Sequence, residues 1–305
     1  MSSTVRWRTV ISIPEAMVGG RLGALLNADV GRGIRVFQLD SSFPSAIRRK
    51  VEEVSGWSAY QRFRPENLAF VLEYDAERDL GEAQLDLTDY VERLCLAFWL
   101  VGPTRIYPDH VLHIVMGGSD WLLVQHLVHD PHVALPSDAP TTLDEQRIAH
   151  AKRLALAMAT IERRSLLDLV QRISMLAIRE ATWEVRMGIL WMAIESLLGS
   201  DDPGELTRTL AQRGSVLLET TAESRRARYR AIKSAYKQRS KVVHGRVNET
   251  DQEKLTAALS DSEALLRSVL LRVLEDPAMV STFNSKGRDS WLDGLVLGGS
   301  AGRTT

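Results

Sequence analysis

Five short apolar runs in the first 135 residues predict β-strands, and the first of them partly alternates apolar with polar positions. The runs cover residues 5–13, 35–39, 69–74, 111–116 and 121–128. The last two are joined by a Gly-Gly-Ser-Asp segment at residues 117–120, which predicts a hairpin turn. Residues 86–100 instead place Leu87, Val91 and Leu94 on one helical face, and residues 44–55 predict a short helix opened by Pro44. Residues 1–135 are therefore predicted to form a mixed α/β domain.

The second part of the chain has a helical period throughout. Residues 134–142 are rich in turn-forming residues, so we expect the domain boundary there. Amphipathic segments then predict six helices, at residues 143–161, 166–177, 183–198, 205–219, 225–244 and 251–274. Short connections between such helices favour an antiparallel bundle, which we assign to residues 142–277. The tail, residues 278–305, contains several Gly and Ser residues; its apolar run from Trp291 is expected to dock one short helix or strand, and the residues beyond Gly298 are expected to be disordered. The predicted fold class is an α+β N-terminal domain followed by an all-α bundle.

Composition adds few chemical candidates. The 305 residues carry a formal net charge of -1, and Cys95 is the single cysteine, so neither an intramolecular disulfide nor a cysteine-based zinc site is expected. The first residues lack the apolar core of a signal peptide, and no uncharged apolar run is long enough to span a membrane. The sequence therefore predicts a cytoplasmic protein that does not contact a membrane.

Five histidines cluster in the N-terminal half, at positions 110, 113, 126, 129 and 132. Neither a cysteine nor a His-Glu-x-x-His helix accompanies them, and they fall on predicted strands and loops. We interpret them as structural or surface residues, and we expect neither a metal ion nor another cofactor.

Positive charge is concentrated in one segment. No Asp or Glu lies between Ser224 and Asn248, and the helical period places a line of basic residues on the side opposite Tyr229, Ile232 and Tyr236. This basic stripe consists of Arg226, Arg230, Lys233, Lys237 and Lys241, and Arg246 follows it. A basic helical face in a chain of balanced charge is suited to a phosphate backbone, so RNA-binding is the predicted role of these six residues.

The basic segment ends in Arg239-Ser-Lys-Val-Val-His244-Gly245, which contains the only histidine after residue 150. Gly245 is placed as the residue that terminates the helix. Arg239 and His244 are five positions apart and would point about 140° from each other on an ideal helix. Either the helix is distorted at its end, or a second copy of the chain completes the site. The bare spacing is weak evidence, because Arg105 and His110 share it in a segment that contains a proline.

Arg239-x4-His244-Gly245, at the end of a basic helix, resembles the Arg-x4-6-His motif of HEPN domains. Trp191-Met-Ala-Ile-Glu195-Ser-Leu-Leu-Gly199 resembles a helix of the Apea-like branch of that family. The resemblance covers roughly residues 145–276 and leaves the N-terminal half unassigned. It implies a HEPN-like helical bundle that dimerises, with Arg239 and His244 as the catalytic pair and Glu195 in support. Ser240 departs from the pattern, because active members often have Asn, Asp or His after the motif arginine.

The resemblance implies a metal-independent endoribonuclease in which the ribose 2′-hydroxyl attacks the adjacent phosphate. Imidazole can serve as base and then as acid near neutral pH, and a guanidinium can stabilise the phosphorane oxygens. It also implies a toxin or phage-defence effector whose N-terminal domain recognises a trigger or partner protein. Two alternatives remain open: a catalytically inactive RNA-binding or scaffolding protein, and an interaction protein in which Arg239 and His244 hold the fold. For Glu195, both orientation of Arg239 or His244 and plain solvation at the bundle's edge remain open.

Overall fold

The computed structural model describes residues 4–13, 24, 28–38, 49, 51–53, 68–77, 82–102, 110–115, 121–126, 143–180, 182–200, 205–245 and 252–298. The chain divides into two compact units. The first comprises Met1–Asp130 and Asp138–Ala159, and the second comprises Pro131–Ser137 and Thr160–Thr305. The chain therefore combines an α+β unit with a helical unit, as the sequence predicts.

The first unit contains a six-stranded antiparallel sheet. Its strands are β1 (Thr4–Ile13), β2 (Asp29–Gly31), β3 (Ile34–Gln38), β4 (Leu68–Glu77), β5 (His110–Val115) and β6 (Trp121–His126). Their order across the sheet is β2-β3-β4-β1-β5-β6. β1 lies between β4 and β5 and buries Trp7, Thr9 and Ile11, whereas Arg6 is exposed. Val10, on the opposite face of the strand, is buried as well, so both faces of β1 are covered near residues 9–11.

The five predicted strands are confirmed to within a few residues, and β5 and β6 form the predicted hairpin. The sequence did not predict β2, because three residues are too few to show a period. A turn at Gly31-Arg32-Gly33 joins β2 to β3, and all three residues have positive φ values, of 106°, 51° and 74°. Gly31 is also required sterically, because a Cβ there would clash with the hydroxyl oxygen of Tyr90.

Among its described residues the first unit also contains the helices α1 (Glu82–Val101) and α2 (Glu145–Ala159), and residues 51–53, within the helix predicted at 44–55, are helical. α1 and α2 pack against each other, and Lys152 of α2 also forms a 3.0 Å ion pair with Asp29 of β2. This corrects the domain boundary, since we assigned residues 142–277 to one bundle and the first unit ends at Ala159. The amphipathic pattern of α2 shows that one face must be covered, but it does not show which unit covers it.

The second unit is helical throughout its described residues. Its helices are α3 (Leu166–Arg179), α4 (Trp183–Leu198), α5 (Leu206–Leu218), α6 (Ala222–Val243), α7 (Gln252–Leu274), α8 (Pro277–Phe283) and α9 (Arg288–Val296). Short connections at residues 180–182 and 219–221 force α3 and α4, and likewise α5 and α6, to run antiparallel. α4 packs against α3, α5, α6 and α7, which explains why its sequence is apolar on most sides. The core of this unit is therefore built around α4.

The tail forms two helices as far as residue 298. Phe283 of α8 and Leu292 of α9 are buried, and α9 packs against α5. Buried apolar side chains thus fix residues 277–298 to the unit, which fits the expected docking of a short element there; disorder was expected only beyond Gly298. Residues 299–305 lie outside the described residues.

One histidine of the sheet, His113, fits a structural role. His113 is buried and its Nδ1 lies 2.6 Å from the hydroxyl of Thr9; burial lowers the pKa of His113 to about 4. His110 and His126 are cross-strand partners, whereas His129 and His132 lie outside the described residues. Within the described part of the chain, no group of three or more His, Cys, Asp or Glu residues is arranged to hold a metal ion. None of the described helices is both long and apolar enough to cross a membrane.

Candidate functional site

Helix α6 carries the predicted basic stripe, and its two ends follow local sequence signals. Thr221 is the N-cap, and its hydroxyl accepts a hydrogen bond from the backbone N–H of Ser224 at 3.1 Å. At the other end His244 is the C-cap, and its backbone N–H donates to the carbonyl oxygen of Ser240. Gly245 follows with φ of 63°, which confirms its prediction as the helix terminator.

The helical period of α6 turns Arg239 towards the interior of the unit. Ile232, Ala235 and Val242 are buried, and Arg239 lies on the same side, between Ala235 and Val242. The side chain of Arg239 is 21% exposed. Val243, which follows the buried Val242, is exposed, so the packed face of α6 ends at Val242. The motif arginine is thus a constituent of the packed face of α6, while the basic stripe lies on the other side.

The basic stripe is solvent-accessible along most of its length. Arg226, Arg230, Lys233 and Lys237 are exposed, and Lys241 is half-buried. The ammonium of Lys233 lies 5.5 Å from the ring centroid of Tyr229, a cation–π contact. Arg246, the sixth predicted RNA-binding residue, lies outside the described residues. The described stripe presents four exposed cations from one helix to solvent.

Glu195 on α4 pairs with Arg239. The Nη2 atom of Arg239 lies 3.2 Å from Oε1 of Glu195, and the Glu195 side chain is 25% exposed. Of the two interpretations left open for Glu195, this contact fits the one in which it orients Arg239, and the carboxylate is not simply solvated. Among the described residues, however, neither Oε1 of Glu195 nor Nε of Arg239 has an aligned hydrogen bond, although both atoms are buried. The pair is held by charge and leaves a guanidinium donor unsatisfied.

Two aromatic rings support this ion pair. Tyr236 precedes Arg239 by one helical turn, and the Cζ atom of Arg239 lies 5.4 Å from the centroid of its ring. Trp191 precedes Glu195 by one turn and meets Tyr236 edge to face at 5.0 Å. Burial of the phenol and the Glu195 carboxylate beside it raise the pKa of Tyr236. The sequence predicted only packing for both rings, although their one-turn spacing from Arg239 and Glu195 was a usable signal.

His244 is exposed at the C-terminal end of α6. No hydrogen bond or ion pair joins its imidazole to any other described residue, and in particular none joins it to Arg239 or Glu195. The structure therefore brings two of the three predicted catalytic residues together and leaves the third apart. This agrees with the divergence of about 140° expected from five helical positions, since α6 keeps helical geometry through Val243.

The geometry supplies an exposed imidazole, a half-buried guanidinium and a line of surface cations on one helix. No protein-family model, curated protein or solved structure matches this chain. The imidazole can transfer a proton, the guanidinium can contact an anion, and the basic stripe can bind a polyanion.

Proposed function

We propose that this chain is a HEPN-type endoribonuclease that cleaves RNA without a metal ion. The supporting observation is the position of Arg239, which Glu195 and Tyr236 hold at the end of a helix with an exposed basic stripe and an exposed His244. The unsatisfied Nε donor of Arg239 adds support, because an unpartnered buried donor in a native structure calls for an explanation. A phosphate oxygen would provide its acceptor.

The proposed reaction is an internal transesterification. Neutral His244 removes the proton of a ribose 2′-hydroxyl, and the 2′-oxygen forms a bond to the adjacent phosphorus. The bond from phosphorus to the 5′-oxygen then breaks, and His244, which is now an imidazolium, returns its proton to that oxygen. Arg239 stabilises the negative oxygens of the pentacovalent phosphorus through its N–H donors. The products are a 2′,3′-cyclic phosphate and a 5′-hydroxyl.

The proposal requires a homodimer of the helical unit. Arg239 faces α4, whereas His244 is exposed at the end of α6, so one chain does not direct both groups at one phosphate. A two-fold axis beside the ends of two α6 helices would place His244 of each copy near Arg239 of the other. The stripe residues, with Arg246, would extend along the bound RNA.

The biological setting is proposed from the family resemblance alone. In this setting, the first unit recognises a trigger or partner protein in the cytoplasm. RNA cleavage by the second unit then acts as a toxin or as an effector of phage defence.

A second candidate is a catalytically inactive RNA-binding or scaffolding protein. The observation that favours it is the same ion pair, because Glu195 neutralises Arg239 on the packed side of α6. In that case the basic stripe binds RNA, and Arg239 stabilises the contact between α4 and α6. Ser240, which departs from the family pattern, is consistent with this candidate.

Incubation of the purified protein with total RNA, in buffer containing EDTA, separates the two candidates. We expect cleavage by the wild type and losses of about 10² to 10⁴ for His244→Ala and about 10² to 10³ for Arg239→Ala. The 5′ ends of the products should accept phosphate directly from a polynucleotide kinase, as free hydroxyls do. RNA binding and the folded state should persist in both variants.

His150→Ala is the matched control, because His150 is a half-buried histidine on α2 of the other unit. Cleavage that is lost in EDTA would replace this mechanism with a metal-dependent one. Cleavage that is equal in wild type, His244→Ala and Arg239→Ala would show a different site. RNA binding without cleavage by the wild type would favour the second candidate.

A further inference from the structure

Where α4 and α6 pack together, each helix contributes an aromatic side chain that precedes a charged side chain by one turn. On α4 the two residues are Trp191 and Glu195, and on α6 they are Tyr236 and Arg239. The rings meet at 5.0 Å with an interplanar angle of 81°, and the charged groups meet at 3.2 Å. The four side chains therefore form one layered cluster.

The tryptophan of this cluster is fixed from a third helix. Its Nε1–H donates to the hydroxyl of Ser262 on α7 at 2.9 Å, and that hydroxyl donates to the carbonyl oxygen of Ala258 at 2.6 Å. Both Trp191 and Ser262 are fully buried. Tyr236 thus packs against a ring that does not move freely, so its own position is defined.

Tyr236 contacts both members of the ion pair. Its ring lies beside the guanidinium of Arg239, with Cζ 5.4 Å from the ring centroid, and the carboxylate of Glu195 is near enough to its hydroxyl to affect the pKa of the phenol. Burial, followed by the nearby carboxylate, raises the pKa of Tyr236 above the value of a free phenol, which is itself protonated at neutral pH. A protonated hydroxyl is a donor, and a carboxylate is an acceptor.

We infer that Tyr236 is a positioning residue that keeps the guanidinium of Arg239 available to a phosphate. Its hydroxyl shares the charge of Glu195, so the carboxylate does not fully neutralise Arg239, and its ring fixes the plane of the guanidinium. The absence of an aligned hydrogen bond between Glu195 and Nε of Arg239 agrees with such a shared carboxylate. This inference rests on the proposed function, because it assigns Tyr236 a role in presenting Arg239 to RNA.

The test is a mutant cycle between Tyr236→Phe and Glu195→Gln, measured as kcat and KM on an RNA oligonucleotide. Tyr236→Phe keeps the ring and removes the hydroxyl, so kcat should fall about tenfold while KM is unchanged. Tyr236→Leu also removes the ring, and kcat should fall about a hundredfold. In the Glu195→Gln background the carboxylate is absent, so Tyr236→Phe should have no further effect on kcat.

Tyr229→Phe is the matched control, because Tyr229 lies two turns earlier on α6 and contacts Lys233 instead. It should leave kcat unchanged. If the losses from Tyr236→Phe and Glu195→Gln simply multiply, or if Tyr229→Phe lowers kcat equally, the inference is wrong while the ribonuclease proposal stands. A fall in melting temperature that accounts for the lost activity of Tyr236→Phe would also overturn it.

If the wild type does not cleave RNA, the proposed function fails, and the inference is judged by binding. The probe is a fully 2′-O-methylated RNA oligonucleotide, which cannot undergo transesterification. Tyr236→Phe should weaken its binding about fivefold in the wild-type background and not in Glu195→Gln. Equal affinity of Tyr236→Phe and wild type for this probe would overturn the inference.

Discussion

The guanidinium of Arg213 on α5 lies 3.1 Å from the carboxylate of Asp289 on α9, 76 residues further along the chain. Arg213 is almost completely buried, and its Nη1 also donates to the carbonyl oxygens of Leu198 and Gly199 at the end of α4. The last turn of α4, which carries Glu195, is therefore connected to the C-terminal helices through the buried cation of Arg213 and through Arg288, which donates to the carbonyl oxygen of Ser196 at 2.6 Å. The tail is a part of the second unit's structure.

Removal of the tail should destabilise the second unit. A chain that ends at Asp276 lacks α8 and α9, so Arg213 loses both Asp289 and Asp293, and the buried side chains of Phe283 and Leu292 are lost as well. Removal of the partners of a buried cation alone typically costs about 3–5 kcal/mol. We expect the free energy of unfolding, measured by urea titration, to fall by at least about 3 kcal/mol. A chain that ends at Gly298 is the control and should match the full-length protein. The same urea midpoint in both truncated chains would contradict this account.

The stability contributed by Asp289 should depend on pH in the acid range. Burial alone would raise the pKa of Asp289, but the guanidinium groups of Arg288 and Arg213 outweigh it, so the pKa lies below the ordinary value of 3.8. The unfolded chain therefore takes up this proton first as the pH falls, and the stabilisation is fully present only above pH 3.8. Asp289→Asn should be less stable than wild type at pH 7, and the difference should shrink below pH 3.8. The difference in stability between the two proteins would be measured from their urea midpoints between pH 3 and pH 7. A difference in stability that is constant across this range would contradict the prediction.

Part of this structure follows from the sequence because its signals are local. The apolar period places the helices α3 to α7, and Gly245 marks the end of α6. For Glu195, the sequence narrows the choice to a paired or a solvated carboxylate at the flank of an apolar face. These predictions concern single helices and their immediate neighbours.

The rest depends on contacts between segments far apart in the chain. Arg213 resembles any arginine of an amphipathic helix, and nothing near it in sequence indicates that Asp289 will neutralise it. Lys152 and Asp29 likewise belong to separate segments, and their contact helps to place α2 in the first unit instead of the bundle. Tyr236 fits an apolar pattern equally well as a packing residue or as a neighbour of Arg239. The apolar pattern of a segment shows which face a residue lies on, but it does not show which residue of a distant segment will contact it.

The basic stripe should determine RNA affinity through its charge. Each phosphate contact contributes about one unit to the slope of log affinity against log salt concentration. Reversal of Arg230, Lys233 and Lys237 to Glu should therefore lower the magnitude of the slope by about three units and abolish binding at moderate salt. The control is an equal charge change elsewhere in the unit, Lys254→Glu with Arg272→Glu and Lys286→Glu, all at exposed positions. Equal affinities of the two triple variants would show that net charge alone, and no particular face, binds the RNA.

The last prediction concerns the distribution of the catalytic pair between two copies. Arg239 is turned towards α4 and His244 is exposed at the end of the same helix, so we expect each site to combine Arg239 of one copy with His244 of the other. Arg239→Ala and His244→Ala should each be inactive alone. When they are mixed in equal amounts and allowed to exchange subunits, half of the dimers contain both variants, and each of these has one intact site out of two. About a quarter of the wild-type cleavage rate should then return.

Light scattering provides the necessary companion measurement, since the wild type should be a dimer at micromolar concentration in both low and moderate salt. Mixing Arg239→Ala with an Arg239→Ala, His244→Ala double variant is the control and should restore nothing, because no combination of these chains contains an intact Arg239. A monomeric wild type that cleaves RNA would contradict the shared site. So would a mixture of the two single variants that exchanges subunits without recovering activity, because a site formed within one chain cannot be repaired by a partner that lacks a different residue.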